Sequence, residues 1–383
     1  MDLLKAETEL KQLSMDIDPP LQVCYNALMK GEVEGKSGRV EDEVEETYED
    51  LPVIDLGLLK MGNLEREKCK KEIVEAARNW GFFQVMNHGV PERALKALLY
   101  EQKKVFYHPF AHKSLGNFLN LGGTYRWGNP LALSPSQISW SEAFHIAVLD
   151  VSSLEEHVTF RSTMETVAKK FGSLAESIAE ILGQSLGIKW SYFKERCEKG
   201  KSSLRLNRYP PCPFASKVYG LIPHTDSDYL TILYQAHTSG LQLMRDGTWF
   251  PVKPNPQYLL VNIGDLLQVV SNDVFKSIKH RVVASEEDER FSFAYFYCPS
   301  EDVMIESCMK PSIYKQFSYK EYRQQIEKDV EKTGNKVGLS RFFLHHMLDS
   351  MSKNPENLQK AIAGCSVKDP AAFGGCHTQR QAS

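Results

Sequence analysis

The stretch that decides the fold begins SLRLNRYPPCP (203–213) and ends RFSFAYFYCP (290–299). Between these ends the chain reads LTILYQ (230–235), GLQLM (240–244), WFPV (249–252), YLLVNIG (258–264), LLQVV (266–270) and SIKHRVV (277–283). Each run is rich in β-branched or aromatic residues, and Gly, Pro, Asn and Asp separate one run from the next. Eight such runs in under a hundred residues predict a compact antiparallel jelly roll, the double-stranded β-helix of cupin-like proteins. The expected fold is therefore mostly β with flanking helices.

Two of these runs alternate in a way that suggests chemistry. In RFSFAYFY, Arg290, Ser292, Ala294 and Phe296 share one face; in LRLNRY, Arg205, Asn207 and Tyr209 share the face opposite Leu204 and Leu206. An Arg beside a hydroxyl is a carboxylate clamp, because the planar guanidinium donates two parallel hydrogen bonds and the hydroxyl adds a third. A polar strand face in an apolar barrel lines either solvent or a polar cavity, and the neighbouring clamp favours the cavity. Arg290, Ser292, Asn207 and Tyr209 are accordingly assigned to a dicarboxylic co-substrate, 2-oxoglutarate.

His224 and Asp226 stand one residue apart, and His280 follows after fifty-three intervening residues. Ligands at i and i+2 of an extended segment face the same side, and a third from a distant strand closes one octahedral face. Two histidines and one carboxylate in this arrangement suit iron(II), with positions left for a bidentate oxo acid and dioxygen. An isolated His-x-Asp is usually a surface turn; the clamp ten residues past His280 is what raises this one.

Composition excludes little by itself but removes several classes. The net charge of −3 over 383 residues, with no clustered basic run, provides no footprint for nucleic acid or an anionic membrane. No apolar run approaches the roughly 18 residues of a membrane span, and MDLLKAETELKQ lacks a secretory core. The eight cysteines form no C-x-x-C pair and read as free thiols in a reducing compartment, so the expected location is the cytoplasm, with the nucleus as a second place.

Four regions are expected. Residues 1–50 form an N-terminal extension, in which the surroundings of Asp18, Pro19, Pro20, Leu21, Val23, Tyr25 and Leu28 can dock on a larger body and the acidic stretch 31–50 is a linker. Residues 51–200 are helix-rich, with strands at LPVID (51–55) and FFQV (82–85), helices over 65–80 and 163–186, and a turn at Asn87, His88 and Gly89. Residues 201–346 are the jelly roll, and 347–383 a loosely ordered tail. His88 reads as a turn residue, and His237, His345 and His346 as surface residues. Glu142 and His145 read as structural, while Trp127 and Trp140 are either walls of a substrate pocket or core.

The segments NRYPPCP, PHTDSDYLTIL, GLQL, NIGDLLQ, SIKHRV and RFSFAYFYCP, with LPVIDL and NWGFFQVMNHGV upstream, resemble the plant 2-oxoglutarate-dependent dioxygenases over about residues 51–346. The resemblance implies His224, Asp226 and His280 for iron, Arg290, Ser292, Asn207 and Tyr209 for 2-oxoglutarate, dioxygen as oxidant and ascorbate as an aid to turnover. Within that family YRWG (125–128), SWSEAFH (139–145) and DPP (18–20) are similar to gibberellin 2-beta-dioxygenases, and more narrowly to those acting on twenty-carbon gibberellins. Ala236 departs from the acid common at that position, and the extended tail has no counterpart. A small-molecule carboxylic acid is then the implied partner, with Arg126 and Arg205 as rival anchors for its carboxylate and Trp127 and Phe296 as pocket candidates. A flavonoid or other gibberellin oxidase would keep every metal and clamp residue, and a non-catalytic binding protein would have lost one.

Overall fold

A computed structural model describes residues 17–30 and 51–344, apart from 117, 120, 122, 130, 131 and 198–200. The linker 31–50, the tail 347–383, His345 and His346 lie outside the described residues. From its N-terminus the chain runs through α1 (Leu21–Lys30), β1 (Val53–Asp55), α2 (Asn63–Asn79), β2 (Phe82–Met86), α3 (Glu92–Phe106), α4 (Phe110–Lys113), β3 (Tyr125–Trp127), β4 (Glu142–Ala147), α5 (Val158–Ser185) and α6 (Tyr192–Cys197). Then follow β5 (Ser203–Tyr209), β6 (Tyr219–His224), β7 (Leu230–Gln235), β8 (Leu241–Arg245), β9 (Thr248–Pro251), β10 (Leu259–Ile263), α7 (Asp265–Val270), β11 (His280–Val283), β12 (Arg290–Tyr297), β13 (Met304–Ile305), β14 (Phe317–Ser318) and α8 (Tyr319–Thr333).

Twelve of the described strands build two facing sheets, as a jelly roll requires, and β13 and β14 pair separately. The larger has the order β1-β2-β10-β7-β12-β5-β4-β3 and the smaller the order β6-β11-β8-β9. Strands β1–β4 extend both edges of the larger sheet. Two readings of the 203–299 stretch change. LLQVV is the helix α7, and YGLIPH (219–224) is the strand β6. A short apolar run buried on every side carries no periodicity to distinguish helix from strand, and Gly220 and Pro223 mask β6 in the sequence.

The outer face of the larger sheet is apolar because β5 and β12 turn Leu204, Leu206, Phe291, Phe293 and Tyr295 that way, all buried. Helix α5 covers it with Met164, Val167, Phe171, Ala175 and Ile178 at helical spacing, and Phe171 stacks on Phe293 at 5.9 Å. The inner face, carrying the alternate residues, is left to a cavity between the sheets.

One cluster on the outer face is ionic. Lys113 Nζ lies 2.7 Å from Glu142 Oε2, and Arg208 Nη1 lies 2.6 Å from Glu142 Oε1 and 2.8 Å from Asp18 Oδ1, with Glu289 on the Arg208 Nε. Lys113 also donates to the carbonyls of Ile17 and Phe106. Glu142 is thus structural, as expected. The cluster fastens the N-terminal segment, whose Leu21 and Tyr25 bury themselves against Ile138, Trp140, Cys212 and Val218, while Val23 stays exposed. Trp140 is therefore core. Tyr25 also needs Gly128: at φ +58 its backbone suits glycine, and a Cβ there would lie 2.3 Å from the Tyr25 hydroxyl.

Removing one partner from a buried ion cluster leaves charges unpaired in low dielectric. Glu142→Ala should therefore lower the unfolding free energy by about 3–5 kcal/mol, read from urea denaturation; a loss below about 1 kcal/mol would show that Asp18 and Glu289 satisfy Lys113 and Arg208 without it.

Candidate active site

The cavity between the sheets has a volume of about 450 Å³, within the ~300–1,000 Å³ common for small-molecule sites. His224, at the end of β6, and His280, at the start of β11, are directly paired across the smaller sheet, with ring centroids 4.3 Å apart. Each donates Nδ1–H to the carbonyl two residues earlier, His224 to Ile222 at 2.8 Å and His280 to Ile278 at 3.0 Å. That fixes the tautomer and turns both Nε2 lone pairs inward. Each Nε2 lies 3.7 Å from Asp226 Oδ1, and the three residues form a group able to hold a metal ion.

The other carboxylate oxygen of Asp226 is held by the larger sheet. Asn262 on β10 donates to Oδ2, and the Thr231 hydroxyl on β7 lies 2.7 Å from it. Burial works against the Asp226 anion, but His280, His224 and these two donors outweigh it and hold its pKa below the ordinary value. Burial and the neighbouring His280 push His224 down to about 3, which keeps its imidazole neutral for coordination. The same Thr231 hydroxyl lies 2.8 Å from Asp228 Oδ2. One hydroxyl proton serves only one of the two carboxylates, so both contacts are hydrogen bonds only if one of the two carboxyls carries a proton. Burial first, and then the Asp226 charge, hold Asp228 well above the usual carboxyl range.

Arg290, Ser292, Ala294 and Phe296 on β12 pair in register with Tyr209, Asn207, Arg205 and Ser203 on β5, and all eight line the cavity. Arg290 is 3 % exposed, and among the described residues it meets neutral partners only: Ser292 Oγ at 3.3 Å, Gln235 Oε1 at 3.2 Å and the Tyr209 ring at 5.0 Å. Its Nε has no hydrogen-bond partner. A buried guanidinium without an anion is costly by several kcal/mol, so this site fits a carboxylate ligand. Gln102 on α3 supports both clamp strands from behind, donating to the carbonyls of Asn207 at 2.9 Å and Ser292 at 3.0 Å.

The remaining candidates divide. Arg205 lines the cavity and donates to Asn207 Oδ1 at 2.8 Å, which leaves the Asn207 amide hydrogens for a ligand. Phe296 lines it too and stacks on His145 at 5.9 Å. Arg126 is exposed on β3 in register with Ala143, outside the cavity lining. Trp127 pairs with Glu142 on the face turned away from the cavity and packs edge-on against Phe110 at 5.4 Å, so it is not a pocket wall. His145 lines the cavity, its pKa held down to about 4 by burial, then by Arg205, Arg323 and Arg126. His88 accepts from the Val90 N–H as a turn residue, and His237 is exposed. Thr231, Asn262, Gln235 and Gln102 escape a reading of the sequence. Only Asn262, alone in the apolar run YLLVNIG, signals itself.

This donor set and clamp agree with what the chain is similar to. The profile of the 2OG-Fe(II) oxygenase superfamily matches residues 200–299, and that of the non-haem dioxygenase in morphine synthesis N-terminal region matches 51–164. Gibberellin 2-beta-dioxygenase 8 of Arabidopsis thaliana is 48 % identical over 339 residues, spanning 86 % of this chain and 99 % of the relative. The chain belongs to the 2OG-Fe(II) oxygenase superfamily. Gibberellin 2-beta-dioxygenase 6 of Oryza sativa subsp. japonica is 40 % identical over 348 residues, spanning 86 % and 97 %. Among solved structures, that of JOX2 in complex with 2OG, Fe and JA superposes with a TM-score of 0.64 at 29 % identity, over 78 % of this chain and 92 % of the other. As a 2OG-Fe(II) oxygenase, the protein is an oxidoreductase that uses iron(II) and 2-oxoglutarate.

His224→Ala, Asp226→Ala and His280→Ala should each abolish turnover and weaken iron(II) binding in equilibrium dialysis while circular dichroism stays unchanged; turnover in any one of them would remove that residue from the donor set. Arg290→Leu should raise the KM for 2-oxoglutarate by about 10- to 100-fold, the value of a charge-assisted hydrogen bond, with iron(II) affinity kept. An unchanged KM would mean that another cation holds the co-substrate.

Proposed function

We propose that this oxygenase hydroxylates gibberellins at the 2-beta position, with twenty-carbon gibberellins as substrates, and so inactivates a hormone precursor. The observation that carries the substrate class is the near full-length match to two gibberellin 2-beta-dioxygenases, 99 % and 97 % of their own lengths. Metal and clamp residues would be common to a flavonoid oxidase as well, so they carry the reaction and not the substrate.

In this reading His224, Asp226 and His280 hold the metal. Arg290, Ser292, Asn207 and Tyr209 hold the 2-oxoglutarate carboxylate. Iron(II) and 2-oxoglutarate, when bound, supply the activation of dioxygen, with succinate and carbon dioxide leaving as one substrate C–H bond is hydroxylated. The chain's own part is placement and shielding. Leu221, Leu233, Leu241 and Val282 line the cavity and keep water away from the reacting carbon. Phe296 forms a wall for an apolar ring system, and Arg205, with Arg126 at the periphery, attracts its carboxylate. Segment Ala236–Gly240 then tunes which ring system enters. No helix among the described residues is long and apolar enough to cross a membrane, and we place the enzyme in the cytoplasm, with the nucleus as a second place.

The test is a substrate panel. Enzyme, iron(II), ascorbate and 2-oxoglutarate are mixed without air with gibberellins or flavonoids, then aerated, and products are weighed by mass spectrometry. A gain of one oxygen on gibberellins, with one succinate per product, is the expected result. Succinate coupled only to flavonoids would replace the gibberellin reading, and no coupled succinate with any compound would point to a binding protein.

A further inference from the structure

The segment that follows α8 reaches back to the metal site through one side chain. Lys336 Nζ donates to the Thr225 carbonyl at 2.8 Å and to Ser227 Oγ at 2.7 Å, and it lies 2.7 Å from Asp265 Oδ2. An ammonium has three hydrogens, so these three acceptors use all of them. Thr225 stands between the metal ligands His224 and Asp226, and Ser227 follows Asp226, so Lys336 bridges both chain neighbours of the carboxylate ligand. The same loop is tied to α7 by main chain: the Asp226 carbonyl accepts from the Asp265 N–H and the Asp228 carbonyl from the Leu266 N–H, each at 2.9 Å. Those bonds fix residues 226 and 228, and Lys336 fixes 225 and 227. The surroundings hold the ammonium still. Asp265 Oδ2 also accepts from the Thr225 hydroxyl at 3.1 Å and from the Tyr322 hydroxyl of α8, and the Lys336 side chain is only 12 % exposed. Helix α8 gives this group a fixed base, with a capping box of Ser318 and Glu321 at its start and Gly334 closing its end at φ +72.

We propose that Lys336 is a positioning residue for the metal: it locks the turn from His224 to Asp226 onto α8 and so sets the spacing of two of the three donors. The inference rests on the donor set and not on the gibberellin reading. By charge alone Lys336 would work the other way, because an ammonium near the site repels iron(II). Asp265 at 2.7 Å offsets that charge, and what Lys336 then contributes is geometry. Groups that orient metal ligands from behind change metal affinity by about 10- to 100-fold when they are removed. Lys336 differs from the usual case in gripping the backbone between two ligands and not a ligand side chain, so a single contact governs the histidine and the carboxylate together.

The test measures iron(II) binding to the full chain by anaerobic equilibrium dialysis, with no substrate present. Lys336→Met should weaken iron(II) binding by about 10- to 100-fold. Ser227→Ala changes no charge and removes one of the three acceptors; it should weaken binding by about 2- to 10-fold and add nothing in the Lys336→Met background. Arg341→Met is the structural control. It breaks the ion pair from Arg341 to Asp329 of α8, 3.0 Å long, and leaves the three Lys336 acceptors in place, so it should lower the Tm while iron(II) affinity stays. Tighter binding in Lys336→Met would show a repelling charge instead of a positioning group and would overturn the proposal. Unchanged affinity in Ser227→Ala, or a loss in Arg341→Met equal to that in Lys336→Met, would overturn it as well. Should Lys336→Met fail to fold, Ser227→Ala decides alone: weaker binding at an unchanged Tm supports the role, and unchanged binding removes it.

Discussion

The register of β5 against β12 is the constraint on which the site depends. Tyr209 faces Arg290, Asn207 faces Ser292, and Arg205 faces Ala294, so these polar residues of both strands reach one cavity, while Leu204, Leu206, Phe291, Phe293 and Tyr295 reach the helices. A slip of one residue on either strand would exchange those faces. Phe291 and Phe293 would then point at the metal site and Arg290 into the packing of α5. The apolar face prevents this: Leu204, Leu206 and Phe293 are fully buried, and Gln102 adds a hydrogen bond to a carbonyl of each strand. Packing energy on the outside of the sheet is therefore what aligns the chemistry on its inside.

The molecule treats buried charge in two ways, and the contrast separates structure from function. Behind the sheet, Lys113, Glu142, Arg208, Asp18 and Glu289 satisfy one another, with backbone carbonyls taking the remaining lysine hydrogens. That cluster has no use for a ligand. In front of the sheet, the hydrogen-bond partners of Arg290 and Arg205 among the described residues are neutral amides and hydroxyls, an arrangement that favours whatever brings a carboxylate. Adjacent residues on one strand, Asn207 and Arg208, thus belong to different systems because a strand alternates its faces.

Sequence alternation made most of this legible. The period of two in LRLNRY and RFSFAYFY exposed the clamp, and His224, Asp226 and His280 declared themselves by chemical type and spacing. What stayed hidden depends on contacts distant in the chain. Thr231 and Asn262 matter because β7 pairs with β10 beside Asp226, and Gln102 because α3 lies behind the paired strands β5 and β12. LLQVV misleads because burial on all sides erases periodicity. Trp127 misleads because its one-residue offset from Arg126 places it on the opposite face of β3, a parity that only the pairing with Glu142 establishes.

The two sheets contribute unequally to the metal site, and that inequality bears on how the site is kept open. Both histidines come from the smaller sheet, while Asp226, just beyond β6, is gripped by Thr231 and Asn262 of the larger one. A metal bound by all three would therefore bridge the sheets at the floor of the cavity, with Asp226 as the link. The larger sheet needs no metal for its own cohesion, since α3 and α5 cover it and the ionic cluster closes its edge. The smaller sheet has four short strands and a register shift between β6 and β11 next to His280. Close approach of the backbone compensates in part: the Asp265 N–H donates to the Asp226 carbonyl at 2.9 Å, and a Cβ on Gly264 would lie 2.0 Å from Asp228 Oδ1. That tight turn holds Asp226 in place through the main chain, so the donor geometry is set before any ion arrives, and the third ligand need not be drawn across the gap by the metal itself.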